Sequence, residues 1–194
     1  MKPVTALPLV LASQSPRRRA LLAGLGFSFM VSPAHIDETP QAGETPEQLV
    51  TRLCQAKARA ISAQHPDSVI IAADTTVALE HTFLEKPSDK AEKRAFIELL
   101  SGKKHTVFTG HTVMWQGQLE QRTIATSVYF RDLSAREIDW YVATGEGLDK
   151  AGGYAIQGYG AALISEIHGC YFNVVGMSLA AVLEMCQQLG APLV

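Results

Sequence analysis

The chain has 194 residues, 47% of them hydrophobic and 19% charged, enough to bury one sizeable core and short enough that a single domain over 1–194 is expected. A formal net charge of -2 gives no overall basic field, so nucleic acid and an anionic membrane are not expected partners and any bound anion must be gripped locally. Cys54, Cys170 and Cys186 are odd in number, widely spaced and without the C-x-x-C pair that would suggest a redox motif or a zinc site, which fits a reducing, cytoplasmic setting.

The stretch from Pro3 to Ala12 behind Lys2 resembles a weak signal peptide, but two prolines interrupt it and Arg17, Arg18 and Arg19 follow. It reads as the first strand instead. No apolar run reaches the roughly 20 residues needed to cross a bilayer. Leu9 to Ala12 is a short apolar run that ends in Ser-Gln-Ser-Pro, and Ala20, Leu21, Leu22 and Leu25 continue as a helix closed by Gly26. Phe27 to Val31 reads as a strand. Thr45-Pro46-Glu47-Gln48 is a capping box with proline at the first helical position, opening a helix to about Gln64.

Val69 to Ala73 is continuously apolar, the mark of a strand buried on both faces, and places Asp74 at its carboxyl end. A helix is expected from Ser88 to Gly102. The segments His105 to Trp115 and Leu119 to Phe130 flank a Gln-Gly-Gln turn and read as an antiparallel hairpin. Ser134-Ala135-Arg136-Glu137 opens a short helix ended by Gly145, and Ser178 to Leu189 forms a last helix stopped by Gly190. Glycines concentrate from Gly145 to Gly176 and imply a tightly turned loop that approaches something closely. The order of elements specifies a mixed α/β fold.

Several residues have the chemistry of a phosphate site. Ser13-Gln14-Ser15-Pro16-Arg17-Arg18-Arg19 joins a buried strand to a helix start, where hydroxyls, unpaired backbone N–H groups and guanidinium forks converge. The alternative is a solvated basic turn, yet three cations oppose the helix dipole there unless an anion accompanies them. Asp37 and Glu38 lie in a loop and suit a hard cation, although a solvated acidic loop has the same appearance. Lys57 falls beside a helical stripe of Leu49, Leu53, Ala56 and Ala60, where a snorkelling lysine is also expected.

Asp74 occupies the strand end where open α/β sheets place ligand chemistry, a position that a turn or cap aspartate also takes. Lys86 precedes Pro87 and so projects from an extended loop or is merely solvated. Lys150 and Gln157 lie in the glycine-rich stretch. The histidines at 35, 65, 81, 105, 111 and 168 show no metal-ligand spacing, and most are expected to be surface or structural. There is no G-x-x-x-x-G-K-[ST] loop and no G-x-G-x-x-G, so the phosphate grip must be of another kind.

In order along the chain, Leu11 to Arg18, Asp37-Glu38, Lys57-Ala58, Ala73-Asp74-Thr75, Glu85-Lys86-Pro87, Ser101-Gly102, Asp149 to Gly152 and Asn173 to Gly176 resemble the Maf family of nucleotide pyrophosphatases. The resemblance spans nearly the whole chain and implies a mixed, twisted sheet with flanking helices and a central cleft, like that of the inosine triphosphate pyrophosphatases. It implies that Ser13, Arg17, Arg18, Lys57, Lys86 and Lys150 hold a nucleoside triphosphate, while Glu38 and Asp74 manage a divalent cation, Mg²⁺ or Mn²⁺, and water. Asp74 matches the family's proton acceptor. A carboxylate is a weak base alone, so it is expected to orient a water that the metal activates for attack on the α-phosphorus.

Substrate choice in the family tracks the positions of Arg17, Thr75 and Gln157, and these residues resemble the branch acting on dTTP and UTP. The other main branch carries Trp, Gln and Glu there, suited to the cationic 7-methylguanine. A glutamine amide instead offers the donor and acceptor that uracil and thymine require. The resemblance also suggests a homodimer. Arg19, Cys170 and Met177-Ser178 depart from the usual pattern without touching the catalytic set. The rival expectation is a regulator of cell division that senses the nucleotide without hydrolysing it; the presence of Glu38 and Asp74 favours an enzyme, since a sensor needs the cations but not the water-handling carboxylates.

Overall fold

The computed structural model describes residues 7–80 and 82–194; residues 3–6 of the apolar N-terminal stretch, Lys2 before it, and His81 lie outside the described residues. The elements run β1 (Leu9–Leu11), α1 (Pro16–Gly24), β2 (Met30–Val31), α2 (Pro46–Ser62), β3 (Val69–Leu79), β4 (Thr82–Leu84), α3 (Lys90–Leu100), β5 (Lys104–Trp115), β6 (Gln118–Phe130), α4 (Ala135–Ala143), β7 (Ile164–His168), α5 (Tyr171–Val175) and α6 (Leu179–Gln188). The strands form one mixed sheet in the order β2-β1-β3-β5-β6-β7, with β4 paired to β3. The α/β expectation is met.

β2, β1 and β3 are parallel, with α1 and α2 in the connections between them, as parallel neighbours require. β4 and β7 run antiparallel to β3 and β6. β5 and β6 are joined by Gln116 and Gly117, both at positive φ (49° and 80°), the backbone of the two-residue turn that matches strand twist.

The residues cluster into two compact units, the first comprising the described part of Met1–Asp74 with Thr109–Ile124 and Gly176–Val194, the second Thr75–Phe108 with Ala125–Val175. In the first, alternate residues of β1 and β3 face opposite ways. Leu9, Leu11, Val69 and Ile71 pack with Leu22 of α1 and with Val182 and Met185 of α6. Val10, Ala12, Ile70 and Ala72 pack with Ala58 and Ile61 of α2. That double coverage is what the unbroken apolar run of β3 requires. The second unit has its own core, in which Val77, Leu84, Ile97, Val107, Val128, Phe130 and Tyr141 meet.

α2 is placed with little freedom. Thr45 and Gln48 complete the capping box reciprocally, a device worth about 1 kcal/mol. Gly110 of β5 lies so near the helix backbone that a Cβ there would stand 2.3 Å from the Val50 carbonyl oxygen. A bare backbone at 110 therefore fixes the depth at which α2, and Lys57 on it, approach the sheet.

Two expectations need correction. Asp74 is not at the carboxyl end of its strand: β3 continues to Leu79, because the segment from Thr75 to Leu79 forms a hairpin with β4 through Val77↔Leu84, Ala78↔Phe83 and Leu79↔Thr82. The strand foreseen from Phe27 to Val31 is reduced to Met30–Val31. Three-residue β1 offers it only the partners Val10 and Leu11, while Phe27 and Phe29 pack on the core without joining the ladder.

Candidate active site

In the first unit the loop after β1 is organised by its own hydroxyls. Ser15 caps α1, with Pro16 at the first helical position. The Ser13 hydroxyl accepts from Ser15 N at 3.2 Å and from Arg18 Nη1 at 3.0 Å, and Arg18 Nε donates to the Gly176 carbonyl at 2.8 Å. Arg18 is thus a buried brace between the loop and the residue that leads into α6. Burial lowers its pKa from the ordinary arginine value, opposed by the Asp74 carboxylate, and the guanidinium remains a cation. Arg17, its neighbour, is half-buried, and Arg19 is exposed.

The second cluster centres on Lys57. The side chain does not snorkel to solvent: the residue is 8% exposed, and Nζ lies 2.5 Å from Asp74 Oδ1 and 2.7 Å from Glu38 Oε1. α2 supplies the ammonium, β3 one carboxylate and the loop after β2 the other. The acidic pair at 37 and 38 splits, since Asp37 Oδ1 accepts from Thr39 N at 2.9 Å. Hydrogen bonds from Thr39 hold the Asp37 carboxyl below its ordinary range. Only Glu38 of that pair reaches the lysine. Lys57 and Glu38 are therefore neither a snorkelling lysine nor a solvated loop acid but members of a three-residue ionic cluster with Lys57 at its centre and Asp74 buried beside it.

Thr75, Lys86, Lys150 and Gln157 belong to the second unit. Thr75 directly follows Asp74 along β3 and is partly buried. The backbone N–H of Gly152 donates to the Glu85 carbonyl at 3.1 Å, which ties the segment bearing Lys86 to that bearing Lys150. Gly152 has φ +71°, and a Cβ there would meet Val77 at 3.1 Å; the glycine-rich loop does make the close approach its composition demanded. Lys86 is exposed, Lys150 pairs with Asp149, and Gln157 is exposed on extended backbone.

Sequence reasoning missed the carbonyl of Gly176 as the anchor of Arg18, since a backbone acceptor carries no side-chain signature. It also passed over Glu146, whose carboxylate organises the turn after Gln157. Among the described residues there is no group of three or more His, Cys, Asp and Glu side chains able to hold a metal, and no helix is long and apolar enough to cross a membrane.

A cluster pairing two carboxylates with a lysine, beside a braced Ser-Arg loop, can bind a hard cation and polyphosphate oxygens together. The sequence profile of the Maf-like protein family matches residues 8–189. The dTTP/UTP pyrophosphatase of Myxococcus xanthus is 48% identical over 185 residues, covering 95% of this chain and 94% of that protein. Its counterpart in Deinococcus radiodurans is 48% identical over 186 residues, 96% and 95% of the two chains. That of Sphingopyxis alaskensis is 46% identical over 187 residues, 95% and 98%. Among solved structures, the Ham1 protein of Staphylococcus aureus aligns over 64% of this chain and 72% of that one at 14% identity with a TM-score of 0.47, too weak a likeness to add to the fold described above. With the profile covering nearly its whole length, this chain belongs to the Maf family.

Proposed function

We propose that the chain hydrolyses dTTP and UTP, together with modified pyrimidine nucleotides, to the monophosphate and pyrophosphate. The observation that carries this reading is near-half identity over almost the entire length of proteins named dTTP/UTP pyrophosphatase. The buried Asp74 held beside Lys57 and Glu38 is consistent with it. In the same reading the enzyme is cytoplasmic, as its cysteine usage suggests, and a homodimer, as its family resemblance suggests.

Glu38 and Asp74 suit Mg²⁺ or Mn²⁺. Their oxygens already converge on one cationic atom, Lys57 Nζ, and Mg²⁺ in nucleotide sites commonly takes one or two carboxylates with phosphate oxygens and water completing its shell. When bound, such an ion neutralises phosphate charge and lowers the pKa of water.

The residues divide the remaining work. Lys57 engages Asp74 Oδ1, which leaves Oδ2 to orient the attacking water and take its proton. The water oxygen bonds to the α-phosphorus as the bond to the bridging oxygen of the β-phosphate breaks, and pyrophosphate departs. Ser13, Arg17, Arg18, Lys57, Lys86 and Lys150 bind the phosphates, the cations among them compensating charge on the nucleotide and its leaving group. Thr75 and Gln157 contact the nucleoside, and the Gln157 amide reads the carbonyl and N–H edge of uracil or thymine.

Hydrolysis of dTTP in ¹⁸O-water tests the reaction. The proposal predicts dTMP and pyrophosphate in equal amounts, with the label in dTMP. Formation of dTDP and orthophosphate, or label in pyrophosphate, would overturn it. Binding of dTTP without turnover over a range of metals and pH would favour the sensor.

A further inference from the structure

Glu146 lies beyond α4, outside the cluster around Asp74, yet it shapes the backbone on which Gln157 is carried. Its carboxylate accepts from Gly160 N at 2.7 Å, Tyr159 N at 3.1 Å and the Tyr141 hydroxyl at 3.3 Å. A side-chain carboxylate thus fills a concavity of backbone N–H groups that otherwise suits an anion. Gly158 lies against it at φ +74°, where a Cβ would stand 2.2 Å from Glu146 Oε2. On the other side of Gln157, Ala155 N donates to the Tyr141 hydroxyl at 3.3 Å. Tyr141 is itself fixed, with Lys93 Nζ 4.1 Å from its ring centre and 3.0 Å from its carbonyl oxygen. Burial raises the pKa of the Tyr141 hydroxyl, which therefore stays protonated and able to donate.

The backbone is consequently pinned two residues before Gln157, and again two and three residues after it, by one Glu146–Tyr141 pair. Gln157 between them has extended backbone, φ −97° and ψ 160°, and its side chain makes none of these contacts. We infer that Glu146 is a positioning residue for base selectivity: it sets the direction in which Gln157 presents its amide, without touching substrate. The inference rests on the reading of Gln157 as the base-contacting residue. A charged acceptor of several N–H bonds gives such a turn more rigidity than neutral contacts supply, and a fixed amide discriminates between bases better than a mobile one.

The test compares kcat and KM for dTTP, UTP and CTP in the wild type, Glu146→Ala, Glu146→Gln, Gln157→Ala and the double variant Glu146→Ala/Gln157→Ala. Glu146→Ala should lower the preference for dTTP over CTP about tenfold, mainly through KM, and Glu146→Gln, which retains an acceptor oxygen, should recover much of it. The double variant should match Gln157→Ala alone, because Glu146 acts through Gln157. Tyr141→Phe, which removes the hydroxyl linking Glu146 to Ala155, should shift the same ratio and carries the test if Glu146→Ala does not fold. An equal loss for every triphosphate, or additive effects in the double variant, would overturn the inference. An unchanged base preference in Gln157→Ala would overturn the reading of Gln157 and this inference with it; a change there without one in the Glu146 variants would sink this inference alone.

Discussion

Lys57 Nζ lies 2.5 Å from Asp74 Oδ1, while its other carboxylate partner, Glu38 Oε1, is 2.7 Å away. Asp74 and Lys57 are both nearly buried, whereas the Glu38 side chain is half-exposed. A cation of one charge therefore holds together the two carboxylates assigned to a cation of two. Asp74→Asn keeps the shape but removes the proton acceptor and the charge that pairs with buried Lys57, and should lower turnover of dTTP about 10²-fold or more, with a lowered melting temperature from the broken ion pair. Steady-state assays and thermal melts decide it, and near-normal hydrolysis would discard the role of Asp74.

Lys57→Met leaves Glu38 and Asp74 facing each other without their shared ammonium. Breaking a buried pair from one side costs about 3–5 kcal/mol, and the exposure of Glu38 reduces this, so a loss of about 1–3 kcal/mol is expected. The informative readout is the response to Mn²⁺: added metal should raise the melting temperature of Lys57→Met more than that of the wild type, because it takes the position the ammonium held. Equal shifts in the two proteins would count against Glu38 and Asp74 as the metal-holding pair.

Arg18 donates in two directions, to Ser13 and to Gly176. Lysine keeps the charge but not the fork. Arg18→Lys should cost about 1–3 kcal/mol of stability through the lost bonds and raise KM for dTTP as the Ser13 loop loosens. Urea denaturation and kinetics check this; an unchanged unfolding midpoint would show that the brace is not structural.

Two buried histidines give the protein an acid limit. Burial lowers the pKa of His111 and of His105 to about 4. For His111 the hydrogen bonds fix the tautomer: Nε2 accepts from Ser178 N at 2.8 Å, which leaves Nδ1–H to donate to the Arg122 carbonyl at 3.2 Å. The unfolded chain takes up these protons as pH falls through about 6.5, and the folded chain only near 4. Their contribution, on the order of 3 kcal/mol for each ring, is full above pH about 6.5, falls between there and about 4, and is absent below. His111→Asn should flatten the dependence of the urea midpoint on pH in that interval. An identical slope would contradict the assignment.

The sequence made the helices around the first cluster legible because their signals are local: the helix expected after Ser-Gln-Ser-Pro begins at Pro16, and the box of Thr45 and Gln48 formed as expected. The apolar run into β3 also announced its burial. What it could not announce was where β3 stops, since Thr75 to Leu79 joins the strand only through its hairpin with β4, a non-local pairing. β4 and β7 depend on non-local pairing in the same way, while α5, five residues long, is too short to carry a periodic signal. Within the site, Lys57 and Glu38 each looked ordinary in isolation, and only the packing of α2 against the sheet, set partly by Gly110, joined them to Asp74. Arg18 was foreseen as a phosphate ligand, and its bonds to Ser13 and Gly176 add a bracing role that depends on a backbone carbonyl far along the chain.

The most direct measurement of the central claim is pyrophosphate release by the purified protein with Mg²⁺ or Mn²⁺ from dTTP, UTP, CTP, dGTP, ATP and 7-methyl-GTP. The account predicts that dTTP and UTP are hydrolysed fastest, as Arg17, Thr75 and Gln157 imply. Faster release from 7-methyl-GTP or from ATP would contradict the assignment of those residues to a pyrimidine base, and release from none of the six would contradict the assignment of the chain as a pyrophosphatase.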